Sequence, residues 1–194
     1  MQRSQPAGRS RLRWFQRQLA FSEEGAQIIE LAVSLPLLAL LFVGTYDVGQ
    51  AFSTKQKLVA ATREAVRFAA NESTMDLNGA TASTPSSISA VRDVVDNYLR
   101  ANNVFDCNLD TAMAGTPVGW KWTFTATGCS GGNLTLTVNR GYAPTPTAGT
   151  VTVEYTKVTI SYPYQWQVNR VISVLGGNMA VSPIPASAVM QNLN

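Results

Sequence analysis

The sequence predicts an α+β protein: a long N-terminal transmembrane-plus-extension helix, then a second amphipathic helix packed on an antiparallel β-sheet head. Three observations predict this. Residues 31–46, LAVSLPLLALLFVGTY, carry no formal charge and follow a leader that holds Arg3, Arg9, Arg11, Arg13 and Arg17 with no acid before Ser22. Apolar residues recur at helical spacing between Ser86 and Ala101. Beyond Gly119, apolar residues alternate with threonines in runs long enough for strands.

Composition limits the chemistry. The chain has 194 residues, 45% hydrophobic and 14% charged, which excludes a disordered chain and leaves room for one ordinary domain with an appended helix. It contains no histidine, which removes the commonest general base and most zinc sites, and its two cysteines cannot complete a structural zinc site or hold an iron–sulfur cluster. The net charge of +3 is local, because the five leader arginines leave 10 basic against 12 acidic residues elsewhere.

With Ala26 to Ile29 the apolar region reaches about twenty residues, enough to cross a bilayer core of roughly 30 Å. Glu30 and Asp47 bracket it about 25 Å apart along a helix, so that both carboxylates could sit near opposite interfaces. The arginines hold the N-terminus in the cytoplasm and send the rest across; Lys55, Lys57, Arg63 and Arg67 weaken that bias without reversing it. A cleaved secretory signal would need a small-residue site after the apolar run, but here a helix-forming stretch follows, AFSTKQKLVAATREAVRFAA.

An acid in a membrane segment costs a few kcal/mol and is a functional candidate by default. Glu30 lies five residues after Gly25. A cut between Gly25 and Ala26 would leave an α-amino group one helical turn from Glu30, at the same membrane depth. An uncut anchor whose Glu30 reaches up to the interface is the alternative, and spacing alone leaves both open.

The stretch Gly25 to Phe52, GAQIIELAVSLPLLALLFVGTYDVGQAF, resembles the TadE-like pseudopilins of tight-adherence (Flp/Tad) pilus systems. The matching features are a glycine before the cut, Glu30 at mature position five, Pro36, Gly44, Asp47, Gly49 and Phe52; Gln50 stands where the family often has arginine. AATREAVRFAA at 60–70 is similar to the family's alanine-rich pattern, with Ala65 where glycine is frequent. The resemblance implies an inner-membrane precursor, trimmed by a prepilin peptidase after Gly25 and used in building an adhesive, biofilm-associated pilus. Its partners would be that peptidase, other pilins or pseudopilins, the inner-membrane assembly platform and membrane lipid. Removing 25 of 194 residues leaves 169, which is bulky for a slender main filament and points to a minor component. The pattern from Pro36 to Phe52 favours this class over a pseudopilin of a type II secretion-like machine.

The implied organisation is a basic cytoplasmic leader at 1–25, a transmembrane helix with a periplasmic extension at 26–71, and a periplasmic head at 72–194. A single helix over 26–71 would be about 70 Å long, and Pro36 favours a kink or local opening in it. Leu58, Ala61, Ala65 and Phe68 form an apolar stripe for docking on the head, whereas Lys55, Arg63, Glu64 and Arg67 read as a solvated face. Residues 72–87 read as a polar loop, after which Ser86 or Ser87 caps a second helix to about Ala101. Ile88, Val91, Val94, Val95, Tyr98 and Leu99 form its buried face. Asp93 and Asp96 on that helix read as solvated rather than metal-binding.

Trp120, Trp122 and Phe124 alternate with Lys121, Thr123 and Thr125, and Leu134, Leu136 and Val138 follow the turn CSGGN, which predicts a hairpin with one apolar face. Core residues explain alternate tryptophans better than a sugar-binding platform. After the loop YAPTPTAG, Val151, Val153 and Tyr155 share one parity and Val158, Ile160 and Tyr162 the other, predicting a bulge near Lys157. Residues 179–190 supply a last strand. Cys107 and Cys129 are a disulfide in an oxidising compartment or else two buried thiols. The reading is of a non-enzyme with no cofactor, no metal and no nucleic-acid partner. The rival is a signal-anchored periplasmic binding or hydrolytic domain, which without histidine would need a Ser–Lys or carboxylate pair.

Overall fold

The structure is a computed structural model that describes residues 23–77, 84–143, 154–174, 176–177 and 181–192, with the backbone alone for 23–26, 171 and 174. The arginine-rich leader, the centre of the expected polar loop, residues 144–149 of the YAPTPTAG loop, Val151, Val153 and the start of the expected last strand lie outside these residues. The chain forms two compact units divided between Thr45 and Tyr46. One helix, α1 (Glu23–Asn71), contributes to both.

In the first unit the helical backbone runs through Pro36, whose missing N–H removes one rung of the ladder. Ile28, Leu31, Leu37, Leu41 and Phe42 are 60–72% exposed, an apolar surface unlike that of a soluble core helix. Gln27–Asn71 contains the one window, among the described residues, that is long and apolar enough to cross a membrane.

The second unit is the predicted α+β head. A 3₁₀ turn at Met75–Leu77 precedes α2 (Ser86–Ala101), and another at Leu109–Thr111 precedes the sheet. Strands β1 (Lys121–Ala126), β2 (Leu134–Tyr142), β3 (Tyr155–Tyr164) and β4 (Ser182–Gln191) pair antiparallel in chain order. A short helix, α3 (Val168–Val174), lies between β3 and β4 and was not apparent in the sequence.

The register explains the core. Phe124 pairs with Leu136, Leu136 with Ile160 and Ile160 with Ala186, so one row of buried side chains crosses all four strands. Trp122, Val138 and Val158 make the parallel row. Leu58, Ala61, Ala65 and Ala69 of α1 and Ile88, Val91, Val95 and Leu99 of α2 join the same core, all with no exposed surface. Trp122 is buried and Trp120 packs partly on the core, so these tryptophans fill the interior. At about 25 cal/mol per Å² of apolar area, the fully buried aromatic and aliphatic side chains dominate the head's stability.

Two expectations need correction. The sheet irregularity is on β2 rather than at Lys157: Asn139 pairs with Lys157 and Tyr142 with Tyr155, so β2 spends an extra residue around Arg140 and Gly141. β3 keeps its alternation, with Thr156, Val158 and Ile160 all buried on one face. Nor do Ser86 or Ser87 cap α2. The Asp76 carboxylate does so from outside the helix, accepting from the Ser87 N–H (2.9 Å) and the Ser87 hydroxyl (3.0 Å). Burial works against the Asp76 charge, but the Ser87 and Ser86 bonds outweigh it and hold the carboxyl below its ordinary range.

Candidate functional site

The N-terminal segment places its chemistry on a helix surface. Gly25 and Ala26 lie in the first turn of α1, and Glu30 is exposed one turn beyond Ala26. Among the described residues nothing buries Glu30. The Ser34 hydroxyl (3.3 Å, to Leu31 O) and the Thr45 hydroxyl (2.9 Å, to Leu41 O) donate back to carbonyls of their own helix, the usual way a hydroxyl is satisfied in an apolar setting. Between Gln27 and Thr45 the segment thus presents apolar side chains, the Glu30 carboxylate and a proline.

Asp47, at the other end of the apolar run, has no exposed surface. The Tyr164 hydroxyl donates to its Oδ1 (2.9 Å) and the Val168 N–H to its Oδ2 (2.9 Å). A buried carboxylate is tolerated because both oxygens are satisfied by donors. Burial, and then the adjacent Asp47 charge, push the Tyr164 phenol well above its ordinary range, so it stays a donor. Tyr164 also meets Trp166 edge to face at 5.2 Å. This clamp ties α1 to the end of β3 and the start of α3. The sequence signal was an acid closing an apolar run; its partners, more than a hundred residues away, left none.

Two further bonds hold α1 in the head. Lys57 Nζ donates to the Asn102 carbonyl (2.8 Å) beyond the end of α2. Arg140, wholly buried in the β2 bulge, donates from Nη2 to the Glu72 carbonyl (2.7 Å) just past the end of α1. A cation there opposes the helix's negative pole. Burial lowers the arginine's proton affinity, with Asp76 and Glu72 working the other way. Nothing in the run NRGY announces a buried arginine.

Asp96 corrects another expectation. Asp93 is exposed beside Arg92, but Asp96 is only 4% exposed. Arg100 gathers three carboxylates, reaching Asp96 at 3.0 Å, Asp106 at 2.8 Å and Asp110 at 3.0 Å. The guanidinium is the cation of this cluster. Burial, followed by the hydrogen bond with Asp106, pushes Asp96 up to about 6 against the pull of Arg100. For Asp106 burial is outweighed by its bonds to Asp96 and Arg100, which hold it below the ordinary range. The cluster pins α2 to the loop carrying Cys107.

Cys107 and Cys129 are joined in a disulfide with their Cα atoms 4.8 Å apart. Gly128 donates its N–H to the Cys107 carbonyl (2.9 Å), and a Cβ at that position would lie 2.6 Å from the same oxygen. Only glycine allows this approach. Beside the bridge a cleft of about 920 Å³ is lined by residues including Gln50, Lys57, Ser130, Tyr162 and Gln165. Ser130 and Lys57 do not form a pair: the Ser130 hydroxyl accepts from Gln165 (2.8 Å), and Lys57 is held by Asn102.

No curated protein and no solved structure matches the chain. Residues 25–67 match the model of the family described as TadE-like protein. The match starts at Gly25 and covers Glu30, Pro36 and Asp47 as well as Leu58, Ala61 and Ala65 of the docking stripe. By that segment the chain is similar to TadE-like proteins, which supports an association with a tight-adherence pilus, and the one long apolar helix among the described residues fits a one-pass membrane anchor.

Proposed function

We propose that the chain is a minor pilin or pseudopilin of a tight-adherence pilus, matured by a prepilin peptidase that cuts between Gly25 and Ala26. The observation that carries this reading is the family segment itself, which begins at Gly25 and presents Glu30 on an exposed apolar helix. After the cut the α-amino group of Ala26 lies four residues, about 6 Å of helix rise, from Glu30. In a stack of such helices each ammonium would neutralise a carboxylate on a neighbour and offset the cost of holding both in lipid. Gly25 also favours the cut: a glycine is about 1 kcal/mol worse than alanine in a helix, so the first turn opens readily for a protease.

The head is the part that makes this subunit a minor one. It stands on α1 through the Asp47 clamp, the Lys57 bond and the Arg140 cap, so it moves as one body with that stretch of helix. The leader arginines support a cytoplasmic N-terminus, and the Cys107–Cys129 bridge is consistent with a periplasmic head. A structural role without catalysis is supported by the engagement of Ser130 and Lys57 with other groups. Coexpression with a cognate prepilin peptidase tests the reading. The intact mass should fall by residues 1–25, and an unchanged mass with active enzyme refutes the maturation step.

A further inference from the structure

Among the described residues β4 is an unpaired edge of the sheet, and proline divides it. The Asn192 N–H donates to the Glu154 carbonyl (3.1 Å), and the register then runs back through Gln191–Tyr155 to Ser182–Tyr164. Even-numbered residues of β4 therefore bond to β3, and odd-numbered residues turn their N–H and C=O groups away from the sheet. Pro183 and Pro185 fall on the odd parity, where they remove the outward N–H groups and blunt that half of the edge. Ser187, Val189 and Gln191 are also odd and keep theirs, and no hydrogen bond satisfies these groups among the described residues.

The open half faces a groove. A cavity of about 320 Å³ lies between Ser187–Met190 of β4 and Val59, Arg63, Val66 and Arg67 of α1. Its lining holds two cations and no acid. Arg63 and Arg67 are exposed and neither makes a salt bridge among the described residues. A strand added beside β4 would place its inner side chains over this lining.

We propose that the Ser187–Gln191 edge is a docking site for an extended, acidic segment of another protein, which adds to the sheet as a fifth strand. Its backbone would exchange up to about six hydrogen bonds with the three outward residues. Its inward side chains would alternate between aliphatic groups on Val59 and Val66 and carboxylates on Arg63 and Arg67. A second copy of this chain is a poorer occupant, because β4 itself has no acid and two copies would bring four uncompensated arginines together. This edge is independent of the cleavage chemistry at Gly25, so either reading can fail alone.

The test uses the full chain in detergent micelles and a fluorescent nonapeptide with threonine at odd places and glutamate and valine in turn at even places. Fluorescence anisotropy should show saturable binding. Affinity should drop by about tenfold or more when lysine replaces glutamate, when alternate peptide nitrogens are methylated, and in Arg63→Glu/Arg67→Glu. Val189→Pro removes an outward N–H without touching the bonds to β3 and should give the same loss, its fold checked by circular dichroism. The methylated peptide carries the test if that variant unfolds. Absence of binding, equal binding of the lysine or methylated peptides, or wild-type binding by folded Val189→Pro overturns the proposal. Self-association that Val189→Pro abolishes also overturns it, in favour of a second copy.

Discussion

Replacing Asp47 with alanine tests what holds α1 in the head. The wild-type carboxylate has no exposed surface and accepts from the Tyr164 hydroxyl and the Val168 N–H, each at 2.9 Å. Hydrogen bonds to a charged partner are worth about 1.5–3 kcal/mol each, and the alanine also leaves the Val168 N–H buried without its acceptor, while the Tyr164 hydroxyl keeps only the main-chain carbonyl of residue 47 at 3.2 Å. Allowing for partial relaxation, Asp47→Ala should cost about 3–5 kcal/mol. At roughly 2–4 °C per kcal/mol for a unit of this size, the melting temperature should fall by about 6–20 °C. Tyr164→Phe removes one of the two bonds and should cost about 1.5–3 kcal/mol. Asp47→Asn keeps the shape without the charge and should fall between. The assay is thermal unfolding of the full chain in detergent, followed by near-ultraviolet circular dichroism, with the double variant completing a cycle. The clamp requires a coupling of about 1–3 kcal/mol between positions 47 and 164. A cost below about 1 kcal/mol for Asp47→Ala, or strict additivity, refutes the reasoning.

Other outcomes follow from the same geometry. Between roughly pH 4 and 6 folded Asp96 keeps a proton that the unfolded chain has lost, because burial and Asp106 push it up to about 6 from the ordinary 3.8. Stability should therefore fall as pH rises through that window, and Asp96→Asn should abolish the fall; parallel melting curves for variant and wild type would contradict this. The disulfide spans 22 residues and should contribute about 3 kcal/mol, so reductant should lower the melting temperature of wild type but not of Cys107→Ser/Cys129→Ser. Glu30→Ala should leave peptidase cleavage intact and reduce incorporation into sheared pili by about tenfold or more, since an unmatched ammonium in lipid costs several kcal/mol; pili of normal composition would refute the pairing.

The elements were legible wherever a period governed them. Leu58, Ala61 and Ala65 of the stripe, Ile88, Val91, Val95 and Leu99 of α2 and the alternation from Trp122 to Val138 follow from repeats of 3.6 or 2 and are buried as read, while Phe68, Val94, Tyr98 and Trp120 are only partly buried against the same core. The assembly segment was legible because a charge in an apolar run is conspicuous. What failed to show was long-range pairing of single polar residues. Asp47 meets Tyr164 across 117 positions and Arg140 meets Glu72 across 68, and no local pattern encodes such partners. Asp96 looked solvated because its helix face borders the charged side, and only the loop bringing Asp106 and Asp110 to Arg100 buries it. The bulge was assigned to the wrong strand for a similar reason. A parity change in one strand was visible, but the residue that absorbs the mismatch sits on its neighbour.

The sheet's simple order bears on how the head is made. Each strand pairs with the one before it in the chain, so no early strand waits for a distant partner. A head that crossed a membrane starting from the end next to its anchor could zip its hairpins in sequence as they emerge, onto a helix already delivered. The carboxy-terminal strand would then be the last piece to seat, and quality control of the subunit would rest on whether translocation had run to completion.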